Sequence, residues 1–369
     1  MPEVVAYIVG GDLFNNSRAT KEIVALCDAG HKVIAMSWNR VDSTGERSRR
    51  VFEGYPVEFR FFDLPVNGSL GFRNITKLAA WLRWVRRCLR AEPDVTVVHA
   101  CDLDSAAGIL HIVRKRKLKF VYDIYDYYVD SHSIPFPLSP VVESLEIKAI
   151  NRADLTIICT EERKQQIRKA NPKKLLVIHN SPDVPVCPEN MQPEFDYVYC
   201  GAMFSGRLLS EIFDAYPKNS DLRIAIAGHG DFVSQAQKLD AEFPNFTYLG
   251  SLPYKQVLET EMKAAVISAI YDPSVRNHRL CAPNKFYEAL ALSKPVIVCA
   301  GTGIDKIVEH NQIGAVINYD AEQFYRELRI LISKREACTA MGQRARKLYE
   351  EKYQWKIMGK RLQDAYAEL

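Results

Sequence analysis

The residues best placed to do chemistry lie in one stretch, residues 283–297, which reads PNKFYEALALSKPVI. Pro283 favours a helix start, and the free N–H groups of a helix N-terminus attract anions. Lys285 adds a full positive charge to the first turn, and Glu288 lies three residues further along, on the same face. Such a cation fits a diphosphate, and a carboxylate about 5 Å along fits the adjacent ribose hydroxyls. A solvated Lys–Glu pair on an amphipathic helix would explain the spacing equally well.

Alternating strands and helices must position this stretch. Short apolar strands separated by helical patterns predict a parallel sheet twice over, at 4–9, 32–37, 95–99, 119–122, 155–159 and 175–178, then at 197–200, 222–227, 246–249, 265–270 and 295–299. Prolines 182, 185, 188 and 193 suit a stiff connection between the two sets. We therefore predict an α/β chain of two Rossmann-like, doubly wound domains, residues 1–185 and 194–350, facing across a cleft, with a helix over 351–369 that crosses back. Ligands of such sheets sit at the carboxyl ends of the strands, which favours a nucleotide-type ligand in that cleft.

Composition and charge exclude several classes of protein. The chain has 369 residues, of which 47% are hydrophobic and 25% are charged, and this balance excludes a disordered, collagen-like or solenoid chain. Its net charge of +4 is too mild for a dedicated nucleic-acid binder. The nine cysteines form no CxxC pair and no zinc-ligand spacing, so we expect reduced thiols. The N-terminus lacks a basic n-region and no apolar run reaches a membrane-spanning length, which together predict a cytoplasmic protein.

One predicted helix, over residues 73–90, combines an apolar face with a basic one. The stretch carries six Lys and Arg residues and no acid, with Trp81 and Trp84 at the border between the faces. This composition is typical of an interfacial helix on anionic lipid, and an ordinary core-facing helix with a solvated basic face fits it as well. The first reading predicts an enzyme that is peripheral on the inner face of the cell membrane.

Several stretches, taken in order, resemble the GT-B glycosyltransferases of the GT4 type, also called group 1. The resemblance covers nearly the whole chain. It includes the donor-site helix at 283–297 with Gly301-Thr302-Gly303 after it, the first helix and second strand at 17–33, the strand end VVHACD at 97–102, the loop VYDIYD at 121–126, the hinge entry VIHNSPD at 177–183, and Trp355 and Tyr366 in the last helix.

The resemblance implies transfer of a sugar from a nucleotide diphosphate sugar, with UDP or GDP as the nucleotide, to a hydroxyl of a glycan or lipid-linked acceptor. It also implies retention of configuration and no obligatory metal or other cofactor. Polysaccharide or glycolipid synthesis and a sugar-nucleotide partner follow, and a nucleic-acid partner does not.

The implied site residues fall into two groups. On the donor side, Lys285 and Arg207 would neutralise the leaving diphosphate, Glu288 would hold the ribose, and Asn284, His229 and Gly301, Thr302 and Gly303 would complete the pocket. On the acceptor side lie Gly10, Gly11, Asp102 and Tyr125, with Asp126 and His99 as candidate catalytic groups. His99 and Asp102 are expected at a strand end that points into the cleft. Structural readings stay open: a surface cation for Arg207, loop surface for His229, a tight turn for the two glycines and a satisfied structural group for His99.

Two departures from the family pattern bear on mechanism. Leu280 stands where many relatives carry a glutamate that touches the donor sugar, and Asn277, His278 or Arg279 would have to replace it. Tyr125 stands where the family has a histidine. A retaining front-face exchange would need no protein base, whereas inversion would need Asp126 or His99 near the acceptor hydroxyl. A catalytically degenerate partner subunit and a nucleotide-sugar epimerase or hydrolase remain alternatives.

Overall fold

The computed structural model describes residues 2–40, 52–66, 74–132, 134–184 and 192–369. The chain divides into two compact units, one formed by residues 1–179 with 356–369 and the other by residues 180–355. The division falls between residues 179 and 180, and residues 356–369 of the C-terminal helix belong to the first unit.

The first unit is built on a sheet of seven parallel strands in the order β3-β2-β1-β4-β5-β6-β7. The strands are β1 Val4–Val9, β2 Lys32–Asn39, β3 Glu58–Asp63, β4 Val97–Cys101, β5 Lys119–Ile124, β6 Leu155–Ile158 and β7 Leu175–Val177. The helices are α1 Ser17–Asp28, α2 Ile75–Ala91, α3 Asp102–Ala106, α4 Leu110–Arg116, α5 Tyr128–Ser131, α6 Leu138–Arg152 and, returning from the C-terminus, α14 Trp355–Ala367. The strand order reverses between β1 and β4, so polar residues at the carboxyl ends of these strands and of β5 meet at one edge.

The second unit contains six parallel strands in the order β10-β9-β8-β11-β12-β13. The strands are β8 Phe195–Cys200, β9 Ile224–Ala227, β10 Phe246–Tyr248, β11 Ala264–Ala269, β12 Val296–Cys299 and β13 Gly314–Ile317. The helices are α7 Leu209–Ala215, α8 Val233–Glu242, α9 Tyr254–Met262, α10 Asn284–Ala291, α11 Ile304–Asn311, α12 Ala321–Ser333 and α13 Arg335–Leu348. The order reverses between β8 and β11. The predicted fold class, α/β with two doubly wound parallel sheets, is confirmed.

Helix α2 is where the structure decides between the two readings of the basic stretch. Trp81, Val85 and Leu89 have no exposed surface and belong to the core of the first unit. The indole N–H of Trp81 donates to the carbonyl of Asp104 at 3.0 Å, and its ring stacks on Trp38 at 5.6 Å between centroids. Much of the apolar face therefore packs against the protein core, which favours the core-facing reading of this helix over the interfacial one. Arg73 lies outside the described residues. Among the described residues, no helix is long and apolar enough to span a membrane.

Replacing Trp81 by alanine tests this packing. We expect Trp81→Ala to lower the free energy of unfolding by about 3–5 kcal/mol, because it empties a core site and orphans a carbonyl. Arg87→Ala, on the exposed side of the same helix, should change it by less than about 0.5 kcal/mol. Urea unfolding of the lipid-free protein followed by far-UV circular dichroism measures both, and equal effects would contradict the assignment of faces.

Candidate functional site

The carboxyl edge of the second sheet brings the predicted cation Lys285 onto the loop that follows β8. Gly201, the first residue of that loop, has φ +151°, and a Cβ added there would lie 2.2 Å from the Lys285 Nζ. The ammonium also lies 4.7 Å from the centre of the Tyr199 ring, whose hydroxyl donates to the carbonyl of Ala202 at 2.7 Å. Glycine is required at 201 because the lysine ammonium occupies the space of a side chain.

The charge on Lys285 is stabilised by its surroundings. Burial alone would lower the pKa of Lys285, but Tyr199, Tyr271 and the Glu288 carboxyl group outweigh it, so the pKa is raised above the ordinary lysine value. The side chain is only half-buried and Asn284 beside it is exposed. A permanent positive charge at the first turn of α10, open to solvent, is the arrangement that an anionic ligand needs.

A second cation, Arg207, lies in the same loop region. Its guanidinium stacks over the Tyr271 ring at 3.9 Å and donates to His278 Nε2 at 3.4 Å. His278 Nδ1 in turn donates to the carbonyl of Asp272 at 3.1 Å. Burial raises the pKa of Tyr271 to about 12, and the charges of both Arg207 and Lys285 oppose that rise. Tyr271 therefore lies within electrostatic reach of both cations.

His278 also shows how the region around Leu280 is organised. Residues Arg276–Leu280 form a short 3-10 helix, and Arg279 is exposed, donating to the carbonyl of Pro273 at 2.7 Å. A Cβ on Gly206 would approach His278 Cε1 to 2.9 Å. Of the three residues proposed to replace the missing glutamate, His278 is thus held against the Arg207 loop.

The loop after β9 runs beside the loop after β8. The N–H of Gly201 donates to the carbonyl of Ala227, and a Cβ on Gly228 would lie 1.8 Å from the carbonyl oxygen of Gly201. His229 follows, exposed, with its carbonyl accepting from Met203 N–H at 2.7 Å. The backbone of this segment therefore fixes the loop against which Lys285 packs, and the imidazole of His229 stays at the surface.

The glycine turn after β12 is more closed than the sequence suggests. The N–H of Gly301 donates to the Asp305 carboxylate at 2.6 Å. The Thr302 hydroxyl, fully buried, donates to the carbonyl of Cys299 at 2.6 Å. Gly303, at φ +80°, is the N-cap of α11. Two donors that a phosphate could have used are therefore already engaged within the turn.

Glu288 lies one turn beyond Lys285 and is 3% exposed. It shares its surroundings with Glu261, a residue of α9 that the sequence does not single out. Glu261 has no exposed surface and also acts electrostatically on Lys285. Because α9 contains several charged residues, the sequence does not indicate that this glutamate is buried. Its burial results from the packing of α9 against the sheet.

In the first unit, two of the candidate residues, His99 and Tyr125, contact a buried ionic cluster centred on Arg18. The Arg18 guanidinium donates to both oxygens of Asp123, at 2.8 and 3.1 Å, and lies 3.0 Å from Glu22. It also donates to the carbonyl of Ile178 at 2.6 Å. Burial raises the pKa of Asp123, but the Arg18 charge outweighs it and the pKa is lowered. Burial and the neighbouring Asp123 raise the pKa of Glu22 to about 8.

His99 belongs to this cluster, which corrects the expectation that it stands at a strand end facing open space. β4 continues two residues past it, and the side chain has no exposed surface. Its Nδ1 lies 2.8 Å from the Tyr366 hydroxyl of α14, and its ring lies 4.5 Å from that of Tyr7. Burial lowers the pKa of His99. A neutral, enclosed imidazole of this kind fastens the C-terminal helix to the first sheet.

The same cluster holds the potential metal ligands found among the described residues. His99, Cys101 and Asp123 place ligand atoms within 4.8 Å of one another. Both oxygens of Asp123 already receive Arg18, and a guanidinium at that distance would repel a cation. The donor set therefore fits an ion pair better than a metal centre.

Asp126 is the candidate carboxylate with open access. Its side chain is 48% exposed and its Oδ1 accepts from the buried Arg163 at 2.9 Å. Asp102 stabilises the loop that contains Tyr125 and Asp126, because its Oδ1 accepts hydrogen bonds from the backbone N–H groups of both residues, at 2.8 and 3.2 Å. Burial raises the pKa of Asp102 well above its ordinary value. The Tyr125 hydroxyl lies 2.9 Å from that of Tyr7. Asp126 is thus exposed, and its neighbours hold its loop.

The two glycines after β1 differ in what requires them. A Cβ on Gly10 would lie 2.3 Å from a carboxylate oxygen of Asp104, whereas one on Gly11 meets nothing within 4 Å. Asp104 is paired with Arg40 at 3.0 Å. Packing inside the protein therefore explains Gly10 without a ligand, and Gly11 leaves open space at the end of the strand.

Comparisons with known proteins agree with this architecture. Two family models match in succession, Glycosyltransferase Family 4 over residues 20–184 and Glycosyl transferases group 1 over residues 193–348. No curated protein sequence matches the chain.

Solved structures match at full length. Anabaena HepE in complex with UDP is 14% identical, covers 100% of both chains and gives a TM-score of 0.69. Sucrose-phosphate synthase from Thermosynechococcus elongatus is 14% identical over 99% of this chain and 98% of its own, with a TM-score of 0.72. A glycosyltransferase from Rickettsia africae is 14% identical over 100% and 98%, with a TM-score of 0.66. At these identities the structures establish the fold, and the two family models establish the family. The chain belongs to the group 1 glycosyltransferases of GT-B fold and is an enzyme of that class.

Proposed function

We propose that this enzyme transfers a sugar from a UDP- or GDP-sugar to a hydroxyl of a glycan or lipid-linked acceptor, with retention of configuration and without an obligatory metal. The observation that carries the proposal is the presence of two cations, Lys285 and Arg207, around Tyr271 at the carboxyl edge of the second sheet. Anabaena HepE, which shares the fold, has been solved with UDP and with UDP-glucose, and this supports a nucleotide-sugar donor here.

The two cations account for departure of the nucleoside diphosphate. Breaking the bond between the sugar and the diphosphate leaves a further negative charge on the diphosphate, and fixed positive groups stabilise that charge in the transition state. Lys285 is fixed against Gly201 and Arg207 against Tyr271 and His278. With this charge supplied by side chains, the reaction does not require a metal ion. We assign Glu288 and Asn284 to the nucleoside side of the pocket on their place in the first turns of α10.

Retention is supported by what the acceptor-side residues offer. His99 is enclosed, so it cannot take a proton from a substrate hydroxyl without rearrangement. Asp126 is exposed, but its Oδ1 already accepts a hydrogen bond from Arg163, which leaves that oxygen less available to a substrate hydroxyl. In a front-face exchange, the departing phosphate oxygen accepts the acceptor proton and no protein base is needed. Inversion with Asp126 as the base is the competing mechanism.

A product assay separates these mechanisms and the alternative reactions. A thermal-shift screen against UDP-, GDP-, ADP- and CMP-sugars first identifies the donor. NMR of the anomeric proton in the product then distinguishes retention from inversion, and dialysis against a chelator should leave turnover unchanged. Turnover of the donor without acceptor, giving a free sugar or an epimer, would identify a hydrolase or epimerase instead.

Replacing Lys285 should remove most of the diphosphate stabilisation. We expect Lys285→Met to lower kcat/KM by about 10²–10³-fold, in the range measured when one transition-state donor is removed. Lys255→Met, which removes an exposed lysine from α9, should change kcat/KM less than twofold. Glu288→Gln should raise KM for the donor, measured with the same assay. Unchanged kinetics of both site variants would refute the assignment of α10.

A methyl group at position 201 tests the same contact from the opposite side. We expect Gly201→Ala to push the Lys285 ammonium from its place and to weaken nucleotide binding at least tenfold by isothermal titration calorimetry. Gly250→Ala is the matched control, because Gly250 has φ +68° and nothing within 4 Å, so it adds backbone strain without a clash. Equal losses in both variants would mean that strain, and not Lys285, governs the site.

For the acceptor side, we propose that a surface other than α2 contacts the membrane, namely the exposed face of α6. Leu138, Val141 and Leu145 lie three and four residues apart on one face of α6 and are 39%, 57% and 42% exposed. Phe136, just before the helix, is 85% exposed. Lys148 and Arg152, both exposed, continue the same face. Exposed apolar residues followed by cations fit a bilayer of anionic lipid.

This surface is tied to the acceptor-side loop. Glu146, buried in α6, accepts from the N–H of Tyr128 at 3.0 Å and from the hydroxyl of Tyr122 at 3.1 Å. Because Tyr128 lies two residues after Asp126, the hydrogen bonds of Glu146 connect α6 to the loop that contains Asp126. A protein held to a bilayer by α6 would keep Asp126 near the membrane surface, and we therefore propose a lipid-linked acceptor.

Liposome flotation tests the membrane contact. We expect the protein to float with vesicles containing anionic phosphatidylglycerol and not with phosphatidylcholine alone. The double variant Phe136→Ser, Val141→Ser should lose at least tenfold of this binding, since each buried apolar side chain contributes roughly 1.5–3 kcal/mol. Ile75→Ser, which removes an apolar residue that is 52% exposed on α2, is the control and should float normally. Absence of the wild-type protein from both kinds of vesicle would remove the membrane proposal.

A further inference from the structure

Glu261 is a buried acid that the proposed reaction does not use. It lies near the end of α9, has no exposed surface, and neither of its carboxyl oxygens has a hydrogen-bond partner. An ionised carboxylate left in that state would be strongly destabilising, because burial removes its hydration without replacing it. The acid is therefore either neutral or supported by a nearby charge.

The charged and titratable groups that act on it come from two elements. Helix α10 contributes Lys285 and Glu288, and Glu261 also acts on Tyr197 and Cys200 of β8. This cluster contains one cation and two carboxyl groups. If both acids were ionised, their combined charge would exceed that of Lys285 and leave no positive charge to attract an anion.

We propose that Glu261 is a positioning residue that stays protonated, so that the charge of Lys285 remains available to the diphosphate of the donor. Its role in donor binding rests on the proposed function. Burial and the charge of Glu288 both raise the pKa of Glu261 well above its ordinary value, and Lys285 opposes them only in part. A bound diphosphate adds further negative charge near Lys285 and favours the protonated form more strongly.

Stability against pH tests the protonation state without any ligand. The unfolded carboxyl ionises above about pH 4.5, whereas the folded one holds its proton, so folding takes up a proton and becomes less favourable as the pH rises between the two pKa values. An isosteric amide avoids this cost. We therefore expect Glu261→Gln to raise Tm at about pH 7.5 and to have a smaller effect at about pH 5.

The opposite outcome is equally clear. If Glu261 is ionised and paired with Lys285, Glu261→Gln would lower Tm at neutral pH, and the proposal would be overturned. Glu259→Gln is the matched control, because Glu259 is exposed on the same helix and its loss should leave the pH dependence of Tm unchanged. Glu261→Met, which also carries no charge, should shift Tm with the same dependence on pH even if its packing lowers Tm throughout.

Donor binding tests the functional half of the proposal. With UDP-glucose as the probe in calorimetry, Glu261→Gln should bind within about threefold of wild type near pH 6.5, because the amide reproduces the neutral acid. As pH rises, the variant should bind as tightly as wild type or tighter, by up to about tenfold for each pH unit above the pKa of Glu261. A merely structural role predicts no such trend.

Two further results would count against it. Binding by Glu261→Gln that is more than about threefold weaker near pH 6.5 would show that the carboxyl itself is needed. If wild-type protein binds neither UDP-glucose nor the other sugar nucleotides of the thermal-shift screen, the proposed function and the donor role of Glu261 both fail, while the Tm series still decides whether Glu261 is protonated. Failure of this inference and failure of the proposed function are thus distinguished.

Discussion

The proposed donor side of this enzyme depends on one contact, in which the Lys285 ammonium lies where a side chain at position 201 would be. A charged group on a flexible stem rarely occupies a single place, and here the glycine gap and the Tyr199 ring confine it. The neighbouring loop is closed in turn by Gly228 against the Gly201 carbonyl. The loops after β8 and β9 are therefore fixed against each other, and the cation that we propose to stabilise the leaving group is positioned before any substrate arrives.

In the first unit, a buried cation is neutralised by buried carboxyl groups. Its buried cation, Arg18, is fully used by Asp123, Glu22 and the Ile178 carbonyl, and nothing about this arrangement requires a ligand. The cluster joins α1, β5 and the residue after β7, and through His99 it also reaches Tyr366 of the last helix. Buried ion pairs of this kind contribute little net stability, but removing one partner is strongly destabilising because it leaves a buried charge without compensation. We infer that this cluster specifies how α14 docks on the first sheet.

The sequence predicts the fold well because its signals are local. Apolar runs with glycine ends identify the strands, and the alternation with helices implies two parallel sheets. It predicts the site less well. Lys285 and Arg207 are selected because one lies at a helix start and the other in a loop after a strand. His99 is expected at a strand end, whereas β4 continues two residues beyond it. Glu261 and Gly201 gain their importance from α9, α10 and β8 meeting in space, which no spacing along the chain reveals.

The candidate polar residues of the two units differ in charge and in the chemistry that they could support. Fixed cations lie in the second unit, where Lys285 and Arg207 are oriented by glycines and aromatic rings. In the first unit, the exposed carboxylate among the candidate residues is Asp126, whose loop is held by Asp102 and which accepts a hydrogen bond from Arg163. A retaining front-face transfer requires positive charge on the side that binds the diphosphate, and it requires no protein base on the side that binds the acceptor. Under the proposed function, rigid cations on the donor side and a single exposed candidate carboxylate on the acceptor side are consistent with that difference.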